Sequence, residues 1–341
     1  MQAKQLVVVF LWLVLFAVQA HGQESPAAVL EKCCAITAHD LTTLNKGQAI
    51  GRLIKLGDET DIAIMGAVRL NVPAKAYIDW YRRVENYKYS AMVEEAARFH
   101  VPPRPEDVAT FAVDTNQIKL LKECKPGNCG FKFSNEEIAR SQAELDWKSP
   151  NVVPQAEALA KSILLQHVAR YMTQGDSALP KYNDKPEEVD VLATFRSLLE
   201  DSPYIKTAFP ELFAQLSQYR GIEESANRDE MIYWSREHYG FGLKPLINVT
   251  HTMLYKASPS VTVIAGKQIW ASHYYDGSLG ITVLADANPG TYLVYLNRSR
   301  IDLLRGAGFK RWLVRRFAPG SIRKEVIALK RQVEAGTLPA R

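Results

Sequence analysis

The stretch from Glu230 to Ser299 constrains this chain more than any other. "EMIYWSRE", "LINVTHTMLYK", "VTVIAGKQIWASHYY", "LGITVLAD" and "TYLVYLNRS" follow one another with plain turns, "ASPS" at 257–260 and "ANPG" at 287–290. Segments rich in β-branched and aromatic residues, bounded by Pro, Gly, Ser and Asn, read as consecutive strands. After them the chain closes with a basic helical stretch from about Leu304 to Glu334, broken by Pro319-Gly320. A sheet followed by one long helix is therefore the frame that the rest must fit.

Upstream, "TDIAIMGAVRLNV" (Thr60 to Val72) carries Ile62, Ile64, Val68, Leu70 and Val72 at period two, a strand. "PAKAYIDWYRRVENY" follows at once, with Pro73 suited to a first helical turn and Tyr77, Tyr81 and Val84 at i, i+4, i+7. "VATFAV" and "GFKFS" are short strand candidates within 100–134. From about Asn135 to Asn227 the period turns helical, as in "QAEALAKSILLQHVARYM" and "EEVDVLATFRSLLED". The chain then returns to strands without a Gly/Ser linker, so the block reads as a helical insertion into a single domain spanning 23–341.

With 47% hydrophobic and 23% charged residues among 341, the composition is that of a folded globular chain. A net charge of +5 is too small to imply nucleic acid, which requires positive charge clustered on one face. At the N-terminus Lys4 precedes the apolar run Leu6 to Ala20 and then Ala20-His21-Gly22, the pattern of a signal peptide over 1–22 cut after Gly22. A periplasmic or secreted protein is the expectation. In that oxidising setting the Pro126-Gly127 turn of "ECKPGNCG" brings Cys124 and Cys129 to bridging distance as a disulfide. Cys33 and Cys34 are adjacent, a spacing hard to bridge.

The stretch "GAVRLNVPAKAYIDWYRRVENYKYS", the later "KQIWASHYYDGSLGITVL" and "YLVYLNRSR", and the final helix together resemble the START-like superfamily, also called SRPBCC or helix-grip. More narrowly, the chain is similar to secreted bacterial proteins of that plan. The resemblance implies an α+β fold in which a curved antiparallel sheet of about seven strands and the C-terminal helix enclose a cavity. It implies extracytoplasmic binding or carrying of an apolar small molecule or lipid, without catalysis. An enzyme of polyketide-cyclase or hydratase type would use the same cavity, and an envelope structural or interaction protein would have it filled.

Within that plan Val261 to Ala285 reads as one long strand with a bulge or bend at Gly277; a hairpin at Asp276-Gly277-Ser278 would raise the strand count by one. Alternation sends Ile269, Ala271, His273 and Tyr275 to one face and Trp270, Ser272, Tyr274 and Asp276 to the other, which argues against a His273–Asp276 dyad. His273 and Tyr275 are candidate polar anchors for a ligand, with a hydrogen-bonded sheet histidine as the alternative for His273. His251 shares a face with Ile247, Val249, Met253 and Tyr255, so His251 and Tyr255 are further candidates, and a satisfied core histidine is the alternative. Trp312 and Phe317 of the final helix would cover the cavity. Arg298 and Arg300 read as solvated charges.

The final helix alternates an apolar stripe (Phe309, Trp312, Leu313, Phe317, Ile322, Val326, Leu329, Val333) with basic residues. Lys310, Arg311, Arg315 and Arg316 are the candidates for contact with an anionic membrane surface. "DGSLG" lacks the G-x-S-x-G spacing of a nucleophile elbow, and no H-E-x-x-H, Walker loop or dinucleotide fingerprint occurs. Neither catalytic residues, nor a metal site, nor a cofactor is expected.

Overall fold

A computed structural model describes residues 24–336 apart from 57–60, 223–228, 241 and 306–307, and apart from the side chains of Tyr89, Phe309 and Lys310. The segment 1–22, expected to be a signal peptide, lies outside the described residues. Helices α1 (Pro26–Cys34) and α2 (Ala38–Asn45) open the chain and are followed by strands β1 (Ile50–Ile54) and β2 (Asp61–Leu70), helix α3 (Ala74–Tyr81) and strand β3 (Val93–Arg98). Helices α4 (Thr115–Lys122), α5 (Asn135–Glu144) and α6 (Val152–Gln174) come next. The two-residue strands β4 (Lys181–Tyr182) and β5 (Val189–Asp190) then pair with each other. Helices α7 (Val191–Glu200), α8 (Pro203–Ala208) and α9 (Pro210–Ser217) complete the helical region. Strands β6 (Asp229–Glu237), β7 (Leu246–Ser258), β8 (Val261–Ala271), β9 (Tyr275–Asp286) and β10 (Thr291–Ile301) and helix α10 (Gly308–Ala335) end the chain.

The fold is α+β. One eight-stranded antiparallel sheet runs in the order β1-β2-β10-β9-β8-β7-β6-β3. Strands β6 to β10 are sequential neighbours, as short connections between antiparallel strands require. The eight strands exceed the expected seven. The segment Val261 to Ala285 is not one strand but the β8–β9 pair, with its turn at Ser272–Tyr274 and not at Asp276–Ser278. Tyr274 there takes a positive φ of 63°, which reverses the chain where alternation would have continued it. The outer strands also differ: "VATFAV" and "GFKFS" form no strand, and their places are taken by β1 and β3.

Helix α10 lies across β1 and β2, with α3 beside it. Val326, Leu329 and Val333 of α10 and Tyr77 and Trp80 of α3 bury against Val68, Leu70, Ile264, Leu284 and Leu293 of the sheet. The helix passes through Pro319 without ending. Proline removes one backbone donor, and the packing of α10 on β1 and β2 offsets that loss. Gly51 and Gly66, paired across β1 and β2, make the seating close: a Cβ on Gly66 would stand 2.8 Å from Ile322 and Val326, and one on Gly51 would strike the Pro319 carbonyl.

The opposite face is covered by the helical region and α1. Val249, Val263, Ala265, Ile281, Val283 and Val294 pack under Leu30 of α1, Leu164 and Val168 of α6, Phe195 and Leu199 of α7 and Leu212 of α9. Each fully buried aliphatic side chain of this kind contributes about 1.5–3 kcal/mol. The helices start where their caps say: Ser134 and Glu137 form a reciprocal capping box on α5, and the Asp190 carboxylate accepts from the Ala193 N–H on α7. Buried ion pairs cross this layer. Lys267 of β8 pairs with Asp176, and Arg298 (Nε, 3.0 Å) and Arg300 (Nε, 2.8 Å) of β10 both hold Asp61. The two arginines are thus drawn inward by a carboxylate on the neighbouring strand instead of being solvated.

Cys124 and Cys129 are disulfide-bonded. Cys33 and Cys34, whose state their adjacency leaves open in the sequence, are also bonded; they are the last residues of α1, where the chain leaves the helix through Ala35 at φ 49°. No helix of the described residues is long and apolar enough to cross a membrane.

Candidate functional site

Between the sheet and the α3–α10 layer lies a cavity of about 380 Å³. Its roof is apolar and aromatic, formed by Tyr77, Trp80 and Tyr81 of α3, Tyr87 beyond it, and Ile322, Val326 and Leu329 of α10. Its floor is polar. Asn248, Thr250 and Thr252 of β7, Gln268 of β8, Ser278 and Thr282 of β9 and Asn297 and Ser299 of β10 point into it.

The floor's polar groups bond to one another, both across strands and along β10. The Gln268 amide donates to Asn248 Oδ1 at 2.5 Å, Asn297 Nδ2 donates to Ser278 Oγ at 3.0 Å, and Ser299 Oγ donates to Asn297 Oδ1 at 2.7 Å. Such preformed bonds hold the groups in place and leave lone pairs and protons facing the void. A break in register between Val249 and Thr250 turns Gln268 to the cavity and Trp270 to the opposite core. At the centre Gly266 and Gly280 pair across β8 and β9. Neither has a positive φ, and a Cβ on either would meet nothing nearer than 3.6 Å. Here glycine serves neither backbone conformation nor close packing; it leaves volume open.

One end of the cavity carries a chain of hydroxyls. Tyr275 donates to the Tyr239 hydroxyl at 3.3 Å, and Tyr239 donates to Glu237, which also accepts from Ser235 Oγ at 2.6 Å. Burial pushes the Tyr275 phenol up to about 12 and raises that of Tyr239, with the Glu237 charge adding to the latter. Burial likewise raises the Glu325 carboxyl on the α10 side. At neutral pH the tyrosines are hydrogen-bond donors and not bases.

The sequence candidates separate in space. Tyr275 lines the cavity. His273 does not: the reversal at Tyr274 carries it to a second pocket, where Nδ1 donates to the Gly130 carbonyl at 2.7 Å and the ring packs 4.9 Å from Phe131. Burial lowers its pKa to about 4, so it is neutral. His251 faces the helical layer and not the cavity: Nδ1 stands 3.0 Å from the Tyr171 hydroxyl, while Nε2, 3.3 Å from Glu230, forms no hydrogen bond. Tyr255 donates to Glu211 of α9 at 2.9 Å on that same side. Trp312 and Phe317 are 56% and 47% exposed and do not line the cavity; the α10 residues that do, Ile322, Val326 and Leu329, lie further along the helix. They begin at Ile322, because Gly51 and Gly66 seat the helix there.

Of the basic candidates, Arg315 and Arg316 are exposed, Arg311 turns back to donate to the Leu304 carbonyl at 3.0 Å, and the Lys310 side chain lies outside the described residues. Asp276 does not meet His273. It accepts from Lys132 at 2.6 Å and from Arg305 at 2.7 Å. The second pocket, also about 380 Å³, includes Lys132, Asp184, Lys244, His273, Tyr274, Asp302 and Arg305 in its wall. Among the described residues no cluster of His, Cys, Asp or Glu is arranged to hold a metal ion. The sequence left one clue to the cavity floor: Thr, Gly, Gln and Asn alternate with Val, Ile and Leu on strands whose two faces are both covered, where apolar runs are the rule.

No protein-family model and no curated protein matches this chain.

Proposed function

We propose that this protein binds a small amphipathic molecule, with an apolar or aromatic body and several hydrogen-bonding groups, in the cavity under α10, and carries it without chemical change. The observation that carries this reading is the Gly266–Gly280 pair, which keeps open a void floored by amides and hydroxyls where a packed core would place side chains. The sheet-and-helix architecture is compatible with the START-like plan, and its relatives' lipid and small-molecule carriage supports the same reading. The lining narrows the expected apolar ligand to one with polar groups. Two disulfides fit an oxidising compartment, periplasmic or extracellular.

The test is organic extraction of the purified full chain followed by mass spectrometry, together with binding of the uncharged probe N-phenylnaphthylamine. A molecule recovered unchanged, and probe binding weakened at least about ten-fold by Gly266→Phe, is the expected result, since a phenyl group in the void removes the contact volume worth ~1.4 kcal/mol per decade. No recovered molecule and no probe binding would sink the proposal and leave the envelope structural protein. The Glu237–Tyr239–Tyr275 chain favours the cyclase or hydratase alternative: conversion of the recovered molecule, abolished by Glu237→Gln, would establish it.

Loading and unloading at an anionic membrane is part of the proposal. Trp312 and Phe317 stand exposed on the same half-helix as Arg315 and Arg316. Sedimentation with phosphatidylglycerol vesicles, but not phosphatidylcholine vesicles, is expected. Arg315→Glu with Arg316→Glu should reduce it by at least about ten-fold, at ~1 kcal/mol per basic residue near the surface; equal binding to both vesicles removes this element.

A further inference from the structure

The second pocket stands beside the Ser272–Tyr274 turn, and its wall is charged. Lys132, 1% exposed, is held by three carboxylates: Asp276 at 2.6 Å, Asp302 at 2.9 Å and Asp184 at 3.5 Å. Arg305 shares Asp276, and Lys185 shares Asp302 at 2.5 Å. Those cations and carboxylates compensate one another. Lys244 is the addition: it lines the pocket and forms no ion pair among the described residues. The wall therefore carries a positive charge without a partner.

A buried acceptor also lacks a partner. Asp184 is 5% exposed, and its Oδ1 makes no hydrogen bond. Buried polar atoms are normally satisfied, so such an atom on a pocket wall marks a place that a ligand completes. Burial raises the Asp184 carboxyl above the usual range, ahead of the opposing pull of Lys132 and Lys185. The pocket has apolar surface too, from Phe131, Leu303 and the ring of Tyr274.

Its geometry is built at a conformational expense. Tyr274 occupies the left-handed region at φ 63°, rare for a bulky residue. Two bonds hold it: its hydroxyl accepts from the Lys244 N–H at 2.7 Å, and its carbonyl accepts from the Asp302 N–H at 2.8 Å. One tyrosine thereby fixes both the segment bearing the unpaired lysine and the segment bearing a carboxylate. On the opposite wall the Cys124–Cys129 loop is joined to Asp184 by the Cys129 N–H donating to its carbonyl at 2.9 Å.

We propose that this pocket is a second, independent binding site, for a small organic acid whose carboxylate meets Lys244 and whose apolar body lies against Phe131, Leu303 and Tyr274. The Asp184 oxygen completes the site by sharing with the bound carboxylate one proton taken up from solvent on binding.

The test is titration of the full chain with benzoate and with its neutral analogue benzamide, followed by NMR. Benzoate is expected to bind at least about ten-fold more tightly than benzamide, and Lys244→Gln to abolish that preference, as loss of one charge-assisted contact implies. Asp184→Asn, which keeps a donor in place, should retain benzoate binding and lose its weakening at rising pH. N-phenylnaphthylamine binding under α10 should be the same in all variants, which separates this site from the carrier cavity. The inference is overturned by equal affinity for benzoate and benzamide, by undiminished preference in Lys244→Gln, or by no benzoate binding up to about 10 mM, a weaker association than even millimolar sites show.

Discussion

Beneath α10 the sheet holds two cross-strand glycine pairs with opposite surroundings. At Gly51–Gly66 the absence of a side chain is used up by the helix, whose Ile322 and Val326 would lie 2.8 Å from a Cβ on Gly66. At Gly266–Gly280 nothing comes nearer than 3.6 Å, and the absence remains as empty volume. The same residue pairing thus produces contact in one place and space in the other, according to where the helix axis runs. The contrast extends to the whole sheet: the face under the helical region is packed with aliphatic side chains and stitched by buried ion pairs, while part of the face under α10 is polar and void. Binding capacity belongs to the face that packing leaves incomplete.

The packed face should respond most strongly to perturbation. Asp176→Asn leaves Lys267, whose pKa burial already lowers to about 8, over the Phe195 ring without its carboxylate, and unfolding by urea should show a loss of up to about 3–5 kcal/mol. Loss of much less than this would mean that water reaches that layer. Acid should come next. His273 has a folded pKa of about 4 against 6.5 for the ordinary side chain, so between those values the unfolded chain takes the proton first. Stability is whole above pH 6.5 and falls as pH drops toward 4, by up to about 3 kcal/mol from this residue, with His251 lowered in the same direction. His273→Gln should flatten the pH dependence of the urea midpoint over that window; an unchanged slope counts against a buried neutral imidazole.

The glycine pairs give the smaller and sharper contrast. Gly66→Val should cost about 1–3 kcal/mol as an overpacked contact with α10. Gly266→Val should change stability by no more than about 1 kcal/mol, and in the stabilising direction, because a strand interior favours a β-branched residue over glycine. It should nonetheless weaken probe binding. If the two valines cost the same, the void is closed in solution and the comparison fails.

Much of the fold is legible from the residues. The strands from Glu230 to Ser299, β2 feeding into α3, the helical region and the final helix each follow from hydrophobic period and turn residues, because these are local consequences of backbone geometry. The site was less so. Tyr275 reaches the cavity, yet His273, two residues away, does not, since strand alternation was broken by the positive φ of Tyr274, and a non-glycine residue in that region has no sequence signature. Lys132 and Asp276, 144 residues apart, show nothing along the chain that announces their pairing.

By itself the sequence determined that there would be an antiparallel run of strands, a long basic helix after it, and a stapled Cys124–Cys129 turn, because period, breakers and spacing act over a few residues. Tertiary structure decided which face each strand shows, where α10 rests and hence which glycines lie under it, and that the buried charges meet in pairs. Those outcomes depend on register and on volume shared between distant segments, and a one-residue slip in either exchanges a packed core for a cavity.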